Sequence, residues 1–397
     1  MIKIAVLGYG TVGSGVVDVL MTNKEIIEKR IGDSMDIKYV LDIREFPGTI
    51  VENLITHNFD DIANDDEIRV VAEVMGGIEP AYTFVKKCLL AGKSVVTSNK
   101  ALVAKHGAEL LSIAAEKNIN FLYEASVGGG IPIIRTLCES LTGDVIEEIT
   151  GILNGTTNYM LTKKYEEGAD YDAVLKEAQA MGYAERDPSA DVEGHDACRK
   201  IAILTSLITG QFVDFEDVHT EGISHLSITD IEYAKAMDMK IKLLATCRMN
   251  ADKPEVIVAP CLMDKKHPLY SVDDVFNAVF VKGNMLGDSM FYGSGAGKLP
   301  TASAVMGDII EAAKNPNRSV MGTWSAEKLQ LADKAETSKR FFIRVSGASK
   351  DAFGDVQKIH LEGKDEFGFV TEKMTERELD NLRANHPEIC QVIRIQD

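Results

Sequence analysis

Basic residues are scarce in this sequence. Lys and Arg together number 43, against 61 Asp and Glu, so the formal net charge is −18 at pH 7. Proteins that bind nucleic acids or anionic membranes draw much of their affinity from clustered Lys and Arg. No basic run occurs anywhere along the 397 residues. The composition therefore excludes nucleic acid and membrane surfaces as main partners.

Long hydrophobic runs and paired cysteines are also missing. No stretch reaches the ~18 uninterrupted apolar residues of a membrane span, and the first residues lack the basic segment and small-residue cleavage site of an export signal. The cysteines form no C-x-x-C pair and no zinc-site spacing with histidine. We therefore expect a soluble, cytoplasmic protein without disulfides. We expect most of its reduced thiols to be small core residues: Cys88, Cys138, Cys198, Cys247, Cys261 and Cys390.

The order of apolar segments predicts an α/β fold with more than one domain. At ~100 to 200 residues per domain, this length corresponds to two or three domains. Strand-like and helix-like segments alternate through the first third, which is typical of a doubly wound parallel sheet covered by helices. We predict three parts. They are a nucleotide-binding domain over 1–130 with 300–320, an α+β substrate-binding and dimerisation domain over 131–299, and a small α+β module over 338–397.

Local patterns predict individual elements in the later parts. Helices are expected over 171–181 and 194–208, and strands over 239–249, 255–262 and 276–282. Three strands in close succession favour a mixed or antiparallel sheet. The charged stretch 325–339 predicts a linker or a helix. Thr375 and Glu378 have the spacing of a capping box, which predicts a helix that ends near Asn385.

A glycine-rich turn near the start of the chain predicts a dinucleotide site. The turn fits G-x-G-x-x-G, follows an apolar strand and opens a helix, which makes a weak pattern specific. Its glycines allow close approach of the backbone, and the helix N-terminus presents N–H groups to a pyrophosphate. The alternative is a tight strand-to-helix turn without a ligand. The candidate cofactor-binding residues here are Gly8, Gly10, Thr11, Val12 and Gly13.

Two charged residues after the second predicted strand bear on the choice of cofactor. Asp42 stands at the strand end, where an acidic side chain would bind the adenosine ribose and repel a 2′-phosphate. Arg44 could instead attract that phosphate. The sequence therefore predicts a Rossmann-like domain that binds NAD or NADP, and it leaves the choice between them open.

Two lysines and an acidic loop are candidates for the catalytic site. Lys100 follows a strand of the nucleotide domain, at the edge where open sheets bind ligands; a solvated lysine at a helix start is the alternative. Residues 183–196 carry five acids, and Lys200 follows Asp196 at the i,i+4 spacing that puts both on one helix face. A surface ion pair is the simple interpretation. However, the other acids exceed what one lysine can pair, so the cluster suits a small cationic substrate that carries oxygen atoms.

These segments, with three others, resemble those of homoserine dehydrogenases. The similar segments occur in the family's order and the resemblance covers about residues 1–315. The two most specific are residues 154–159, Asn-Gly-Thr-Thr-Asn-Tyr, and residues 185–200, Glu-x-Asp-Pro-x-x-Asp-x-x-Gly-x-Asp-x-x-x-Lys. The others are residues 8–13, 95–102, 124–132, 151–153, 182–184, 295–297 and 300–302.

The resemblance implies reversible hydride transfer between NAD(P)H and L-aspartate 4-semialdehyde, which gives L-homoserine on the way to threonine and methionine. Lys200 would be the general acid/base, with Asp196 and Lys100 as its catalytic partners. A protonated lysine can both stabilise the developing alkoxide and deliver the proton. By the same resemblance, the substrate-binding residues would be Glu185, Asp191, Tyr183 and Thr156. Thr97, Lys100 and Gly297 would border the nicotinamide and its ribose.

The resemblance also implies a bound cation and a regulatory tail. A sodium ion would be held largely by carbonyl oxygens in the loop of Glu124, Val127, Gly129 and Ile131; an ordinary glycine loop is the alternative. Segments near Lys350–Gly354 and Phe369–Thr371 are similar to an ACT domain, through which threonine could inhibit. The interval between them is shorter than an ACT domain needs, so the module is predicted to be degenerate. Leu41 stands where NADP-preferring members often carry arginine.

The sequence leaves two other functions open. One is another two-domain NAD(P)-dependent oxidoreductase acting on an amino acid or sugar, which the acidic loop and the segment 154–156 argue against. The other is a dinucleotide-sensing regulator, which would need no proton donor such as the one that Asp196 and Lys200 provide. A homodimer or homotetramer is expected, because the strands of the middle domain offer an edge that a two-fold axis could pair.

Overall fold

The computed structural model describes residues 1–250, 253–346 and 353–396. The chain forms two compact units, each built from separate segments. The first unit contains residues 1–145, 202–215 and 291–329, and the second contains residues 146–201, 216–290 and 330–397. The predicted three-part division stays a prediction; in these units, residues 131–145 group with the first sheet and residues 338–397 with the second unit.

The first unit is built on a parallel sheet of six strands in the order β3-β2-β1-β4-β5-β6. The central strand β1 pairs in parallel with both neighbours, and the change of direction after it is the switch point at which such sheets bind ligands. The predicted doubly wound sheet is therefore confirmed. The strands are β1 (Ile2–Leu7), β2 (Met35–Leu41), β3 (Ile55–Thr56), β4 (Ile68–Glu73), β5 (Ser94–Thr97) and β6 (Phe121–Leu122).

A mixed sheet of ten strands forms the core of the second unit, in the order β13-β12-β7-β10-β11-β20-β16-β18-β17 with β9 beside β11. Strands β7, β10, β11 and β12 pair antiparallel, while β20 joins β11 in parallel, so the predicted mixed sheet is confirmed. The strands are β7 (Ile146–Ile152), β9 (His219–Thr220), β10 (Met239–Arg248), β11 (Glu255–Asp264), β12 (Phe276–Gly283), β13 (Gly287–Ser294), β16 (Phe341–Ser346), β17 (Ile359–His360), β18 (Glu366–Val370) and β20 (Ile389–Gln396).

The helices begin and end close to the predicted positions where the sequence is strongly periodic. The predicted helices over 171–181 and 194–208 correspond to α6 and α8, and the predicted capping box of Thr375 and Glu378 forms at the start of α11. The helices are α1 (Thr11–Ile31), α2 (Asp60–Ala63), α3 (Ala81–Leu90), α4 (Lys100–Glu116), α5 (Gly155–Glu167), α6 (Tyr171–Ala180), α7 (Ser189–Val192), α8 (His195–Thr209), α9 (Ile228–Ala236), α10 (Lys298–Lys314) and α11 (Glu376–Asn385).

The prediction of a linker or helix over 325–339 is wrong. This stretch contains the strand β14 (Ser325–Lys328), a 3-10 turn over Lys334–Glu336 and the strand β15 (Ser338–Lys339), which pair with β8 (Gln211–Phe212) and β19 (Met374–Thr375). All four residues of β14 are exposed. Edge pairing with a distant segment therefore sets their conformation, and such pairing leaves no apolar periodicity to detect.

The C-terminal module is built from β16, β18, α11 and β20 around a core of aromatic and aliphatic side chains. Its likeness to an ACT domain stays a prediction, and Lys350, Asp351 and Ala352 of the quoted segment lie outside the described residues. Four of the six predicted free thiols are buried: Cys88, Cys198, Cys247 and Cys261. Within the described ranges, no helix combines the length and apolar character needed to cross a membrane.

Candidate active site

The glycine turn has the backbone geometry that close approach of a ligand requires. Gly8 has φ +98°, a region that favours glycine. A Cβ on Gly13 would lie 2.0 Å from the Gly8 carbonyl oxygen, so only glycine allows α1 to begin this close to β1. Gly10 is the N-cap of α1 and has no side chain that could cap the helix. It therefore leaves the first N–H groups of α1 without a side-chain acceptor from the N-cap position. The predicted pyrophosphate turn therefore has the expected shape.

Asp42 and Arg44 pair with each other beside this turn. The guanidinium of Arg44 donates to both carboxylate oxygens of Asp42, at 3.0 and 3.1 Å, and the backbone N–H of Tyr9 donates to Oδ2 at 2.8 Å. Hydrogen bonds from Arg44 outweigh burial and lower the pKa of Asp42 to about 2. Asp42 is consequently a firmly held carboxylate, while the exposed Arg44 stacks on the ring of Phe46.

An apolar cleft of about 460 Å³ lies at the carboxyl ends of β1, β2 and β4. Its walls include the glycine turn and the pair Asp42 and Arg44, together with the stacked rings of Phe59 and Phe84, whose centroids are 4.0 Å apart. Ligand sites are commonly apolar clefts with a few fixed polar groups. This cleft therefore fits the adenosine portion of a dinucleotide.

A buried network joins the ends of β4 and β5, and its acidic member was missed in the sequence. Thr97 donates to Glu73 Oε2 at 2.6 Å, and the backbone N–H of Met75 donates to Oε1 at 2.8 Å. Burial raises the pKa of Glu73. Asn99 accepts from the backbone N–H of Leu102 and so caps α4. The network fixes the N-terminus of α4, whose first residue is the candidate site residue Lys100.

The second unit contains a buried lysine–aspartate pair on α8. Lys200 Nζ lies 2.8 Å from Asp196 Oδ2 and donates to the carbonyl oxygen of Leu153 at 2.7 Å. Lys200 is 7% exposed and Asp196 is 3% exposed. A surface ion pair, the simple interpretation of this spacing, is therefore not what forms. The two contacts fix the position of the ammonium group.

Asn154 joins the acidic loop to this pair, although it was not among the predicted site residues. Its amide Nδ2 donates to Asp191 Oδ1 at 2.8 Å and to Asp196 Oδ2 at 3.0 Å. Its Oδ1 accepts from the backbone N–H of Thr157 and so caps α5. The specific Asn-Gly-Thr-Thr-Asn-Tyr segment was the signal that could have identified it. One side chain thus starts a helix and holds two carboxylates of the candidate site.

Of the remaining predicted substrate residues, Tyr183 and Glu185 lie on the loop after α6, and Thr156 lies in the first turn of α5. Thr156 donates to the carbonyl oxygen of Tyr183 at 2.6 Å, and the partly exposed Tyr183 ring packs edge-on against Tyr159. Glu185 is exposed, and its carbonyl oxygen accepts from Gln179 at 3.0 Å. The structure therefore links Thr156 with Tyr183, and Asp191 with Asp196 and Lys200, while Glu185 is presented on the loop surface.

The loop predicted to hold a cation is buried and tightly turned. Glu124 accepts hydrogen bonds from the backbone N–H groups of three successive residues, Ile133, Ile134 and Arg135. Its carboxylate is therefore engaged by the backbone of this loop. Gly129 has φ +58°, and a Cβ there would lie 2.2 Å from the carbonyl oxygen of Gly295. Among the described residues, no group of three or more His, Cys, Asp or Glu side chains could hold a metal. Carbonyl oxygens are therefore the donors that this loop could offer.

Comparisons with known proteins agree on a single family. Residues 8–124 match the family model for the NAD-binding domain of homoserine dehydrogenase, and residues 132–310 match the homoserine dehydrogenase model. The Bacillus subtilis homoserine dehydrogenase is 43% identical over 324 residues, which are 81% of this chain and 75% of the relative. The Synechocystis homoserine dehydrogenase is 46% identical over 317 residues, 78% and 72% of the two chains.

Solved structures give the same result. The crystal structure of a homoserine dehydrogenase from Thiobacillus denitrificans has a TM-score of 0.92 and 33% identity, and it covers 100% of this chain and 98% of that one. A hyperthermophilic archaeal homoserine dehydrogenase in complex with NADPH has a TM-score of 0.68 and 27% identity over 78% of this chain and 97% of its own. The family resemblance and the NAD(P)-binding domain predicted from the sequence are confirmed. The chain is an oxidoreductase that belongs to the homoserine dehydrogenase family.

Proposed function

We propose that the chain catalyses the reversible reduction of L-aspartate 4-semialdehyde to L-homoserine, with Lys200 as the residue that exchanges the proton. The observation that carries this proposal is the buried pair of Lys200 and Asp196, 2.8 Å apart. In the reduction, NAD(P)H supplies a hydride to the aldehyde carbon. The aldehyde oxygen gains negative charge and takes one proton, which leaves an alcohol and the oxidised cofactor.

Lys200 suits this step because of its charge and its fixed position. The nearby carboxylate of Asp196 favours the ammonium form, which is the form needed to donate a proton. A positive charge in a site shielded from water also stabilises the developing alkoxide more strongly than it would in solution. The carbonyl of Leu153 and the carboxylate of Asp196 hold Nζ in place, so little reorganisation would be needed. Lys100 is proposed as the second catalytic lysine.

The acidic loop is proposed to bind the substrate's cationic end. Glu185 and Asp191 would receive the α-ammonium and hydroxyl groups of homoserine, and Tyr183 and Thr156 would add polar contacts. Asp191 is held by Asn154 at 2.8 Å, which supports a fixed role for its carboxylate. Glu185 is exposed and therefore available to a charged ligand.

For the cofactor, we propose NAD or NADP, bound through the glycine turn of Gly8, Gly10, Thr11, Val12 and Gly13, with Thr97, Lys100 and Gly297 at the nicotinamide end. Asp42 would face the adenosine ribose, and Arg44 would face a 2′-phosphate when one is present. A sodium ion is proposed on carbonyl oxygens of the loop that contains Glu124, Val127, Gly129 and Ile131. A homodimer or homotetramer is proposed on the edges that the second sheet offers.

The activity can be tested with purified protein, aspartate semialdehyde and either NADPH or NADH. We expect loss of reduced-nicotinamide absorbance with at least one cofactor. No loss at saturating substrate with either cofactor would contradict the proposal, and loss only with a different aldehyde would favour another oxidoreductase. Lys200→Met should abolish most turnover while leaving cofactor binding unchanged. Wild-type turnover in that variant would dismiss Lys200 as the proton donor.

A further inference from the structure

A buried arginine of the C-terminal strand holds two carboxylates of distant segments together. Arg394 on β20 contacts Glu221 with two nitrogens, at 2.7 and 2.9 Å, and contacts Glu376 with two nitrogens, at 2.6 and 3.0 Å. Arg394 is 6% exposed and Glu376 is 1% exposed. Paired contacts of this kind fix geometry as well as charge, because the guanidinium is planar and rigid. The cluster therefore sets the position of Glu221 relative to the C-terminal module.

Glu221 is also fixed through its own backbone and its neighbour. Its N–H donates to the carbonyl oxygen of Val258 on β11 at 2.8 Å, and His219 lies 2.5 Å from its Oε1. Burial opposes ionisation of this carboxyl group, but His219 and Arg394 outweigh it and lower the pKa of Glu221. Glu221 is thus an anion held from two sides.

The segment that carries Glu221 packs directly against the entry to α8. The N–H of Ile223 donates to the carbonyl oxygen of Val192 at 2.8 Å. A Cβ on Gly222 would lie 2.2 Å from that same oxygen. Gly194, the residue before α8, has φ +81°, and its Cβ position is 3.4 Å from the Glu221 carbonyl oxygen. No side chain fits between the two backbones, so a displacement of Glu221 would move the start of α8.

We propose that Arg394 is a positioning residue for the catalytic helix. It acts through Glu221 and the backbone contacts of Gly222 and Ile223 on the segment that leads into Asp196 and Lys200. The proposal rests on the proposed role of Lys200 and adds to it a part for the C-terminal module. This module then contributes to turnover through geometry, without touching substrate or cofactor.

The test uses the full chain and a pair of linked variants. Arg394→Met alone leaves the buried carboxylate of Glu376 and the partly buried carboxylate of Glu221 without their main partner, which is destabilising. The double variant Arg394→Met/Glu376→Gln removes one of those charges, and Lys334 and His219 remain near Glu221. We expect the double variant to fold and its kcat to fall about 10- to 100-fold, since small misplacements of catalytic groups cost this much. The Kd for NADPH should stay unchanged, because the cofactor residues belong to the first unit.

A matched control exists in the same module. Arg344 on β16 holds Asp230 at 3.0 Å and Glu366 at 2.9 Å, and most of its side chain is shielded from solvent. We expect Arg344→Met/Glu366→Gln to lower the melting temperature with kcat unchanged at temperatures where it is folded. Arg394→Lys should recover part of the lost turnover, because one ammonium restores charge but not the paired geometry.

The outcomes separate this inference from the proposed function. Wild-type kcat in the folded Arg394→Met/Glu376→Gln variant, with Lys200→Met inactive, would overturn the positioning role alone. An equal loss of kcat in the Arg344 control would also overturn it, because the effect would then follow from general loss of stability. Activity retained in Lys200→Met would instead contradict the proposed function. Loss of kcat confined to the Arg394 variants would support the inference.

Discussion

Asn154 allows the sharpest test of the candidate site, because the two polar atoms of its side-chain amide make different contacts. The Oδ1 atom caps α5, and the Nδ2 atom holds Asp191 and Asp196. Asn154→Ser keeps a side chain that can cap a helix and removes the amide that joins the two carboxylates. Asn154→Ala removes both functions. Comparing the two variants therefore separates helix stability from placement of the acids.

The expected sizes follow from the contacts that are lost. A hydrogen bond to a charged group contributes ~1.5 to 3 kcal/mol, and the Nδ2 atom makes two. If about half of that total is lost from the transition state, kcat/KM falls about 10- to 100-fold, since ~1.4 kcal/mol is tenfold. Loss of a helix cap costs ~1 kcal/mol. Asn154→Ala should therefore lose about that much more stability than Asn154→Ser, with a similar loss of turnover.

Thermal unfolding and steady-state kinetics of both variants provide the measurements. Asp170→Ala is a suitable control, since Asp170 caps α6 in the same unit through the N–H of Asp172 and lies outside the site. It should lose stability and keep its kcat. The reasoning would be refuted if Asn154→Ser kept wild-type kcat/KM, because Asp191 and Asp196 would then be placed without the amide.

Three further predictions concern charge. Glu185→Gln should raise the KM for homoserine up to about fivefold with little change in kcat, since an exposed charge contributes little; an unchanged KM would place the ammonium elsewhere. Asp42→Asn should increase the preference for NADPH over NADH severalfold, because it removes a carboxylate that repels a 2′-phosphate; a preference that moves toward NADH would contradict this role. The pKa of Glu221 is lowered in the folded state, so its contribution to stability is present at neutral pH and is lost as the pH falls below ~4.3. Melting temperatures of Glu221→Gln should thus fall less steeply with acidification than those of the wild type, and parallel curves would rule this contribution out.

Much of the fold was predictable because its patterns are local. The glycine turn, the periodic helix over residues 195–209 and the capping box at Thr375 depend on neighbouring residues, and all three form. The strand β14 was not predictable, because its exposed residues are ordered by pairing with β8. The helix α9 was overlooked although Ser227 and Asp230 form a capping box at its start.

In the candidate site, too, contacts within one helix were predictable and contacts between distant segments were not. The spacing of Asp196 and Lys200 predicts their contact, since both lie on one helix face. Asn154 and Glu73 could not be assigned from spacing, because their partners come from other segments of the chain. The burial of Asp196 and Lys200 could not be predicted either, because it results from tertiary packing. The same i,i+4 spacing is typical of an ion pair on the surface of a helix.

The place of β20 within the second sheet has a consequence for biosynthesis. Among the described strands, β20 lies between β11 and β16 and joins the one to the other. The two halves of this sheet cannot join until residues 389–396 have emerged from the ribosome. Contacts of such high sequence separation also slow folding. The second sheet is therefore completed late in synthesis, and the edges of β11 and β16 that β20 will cover need protection until then.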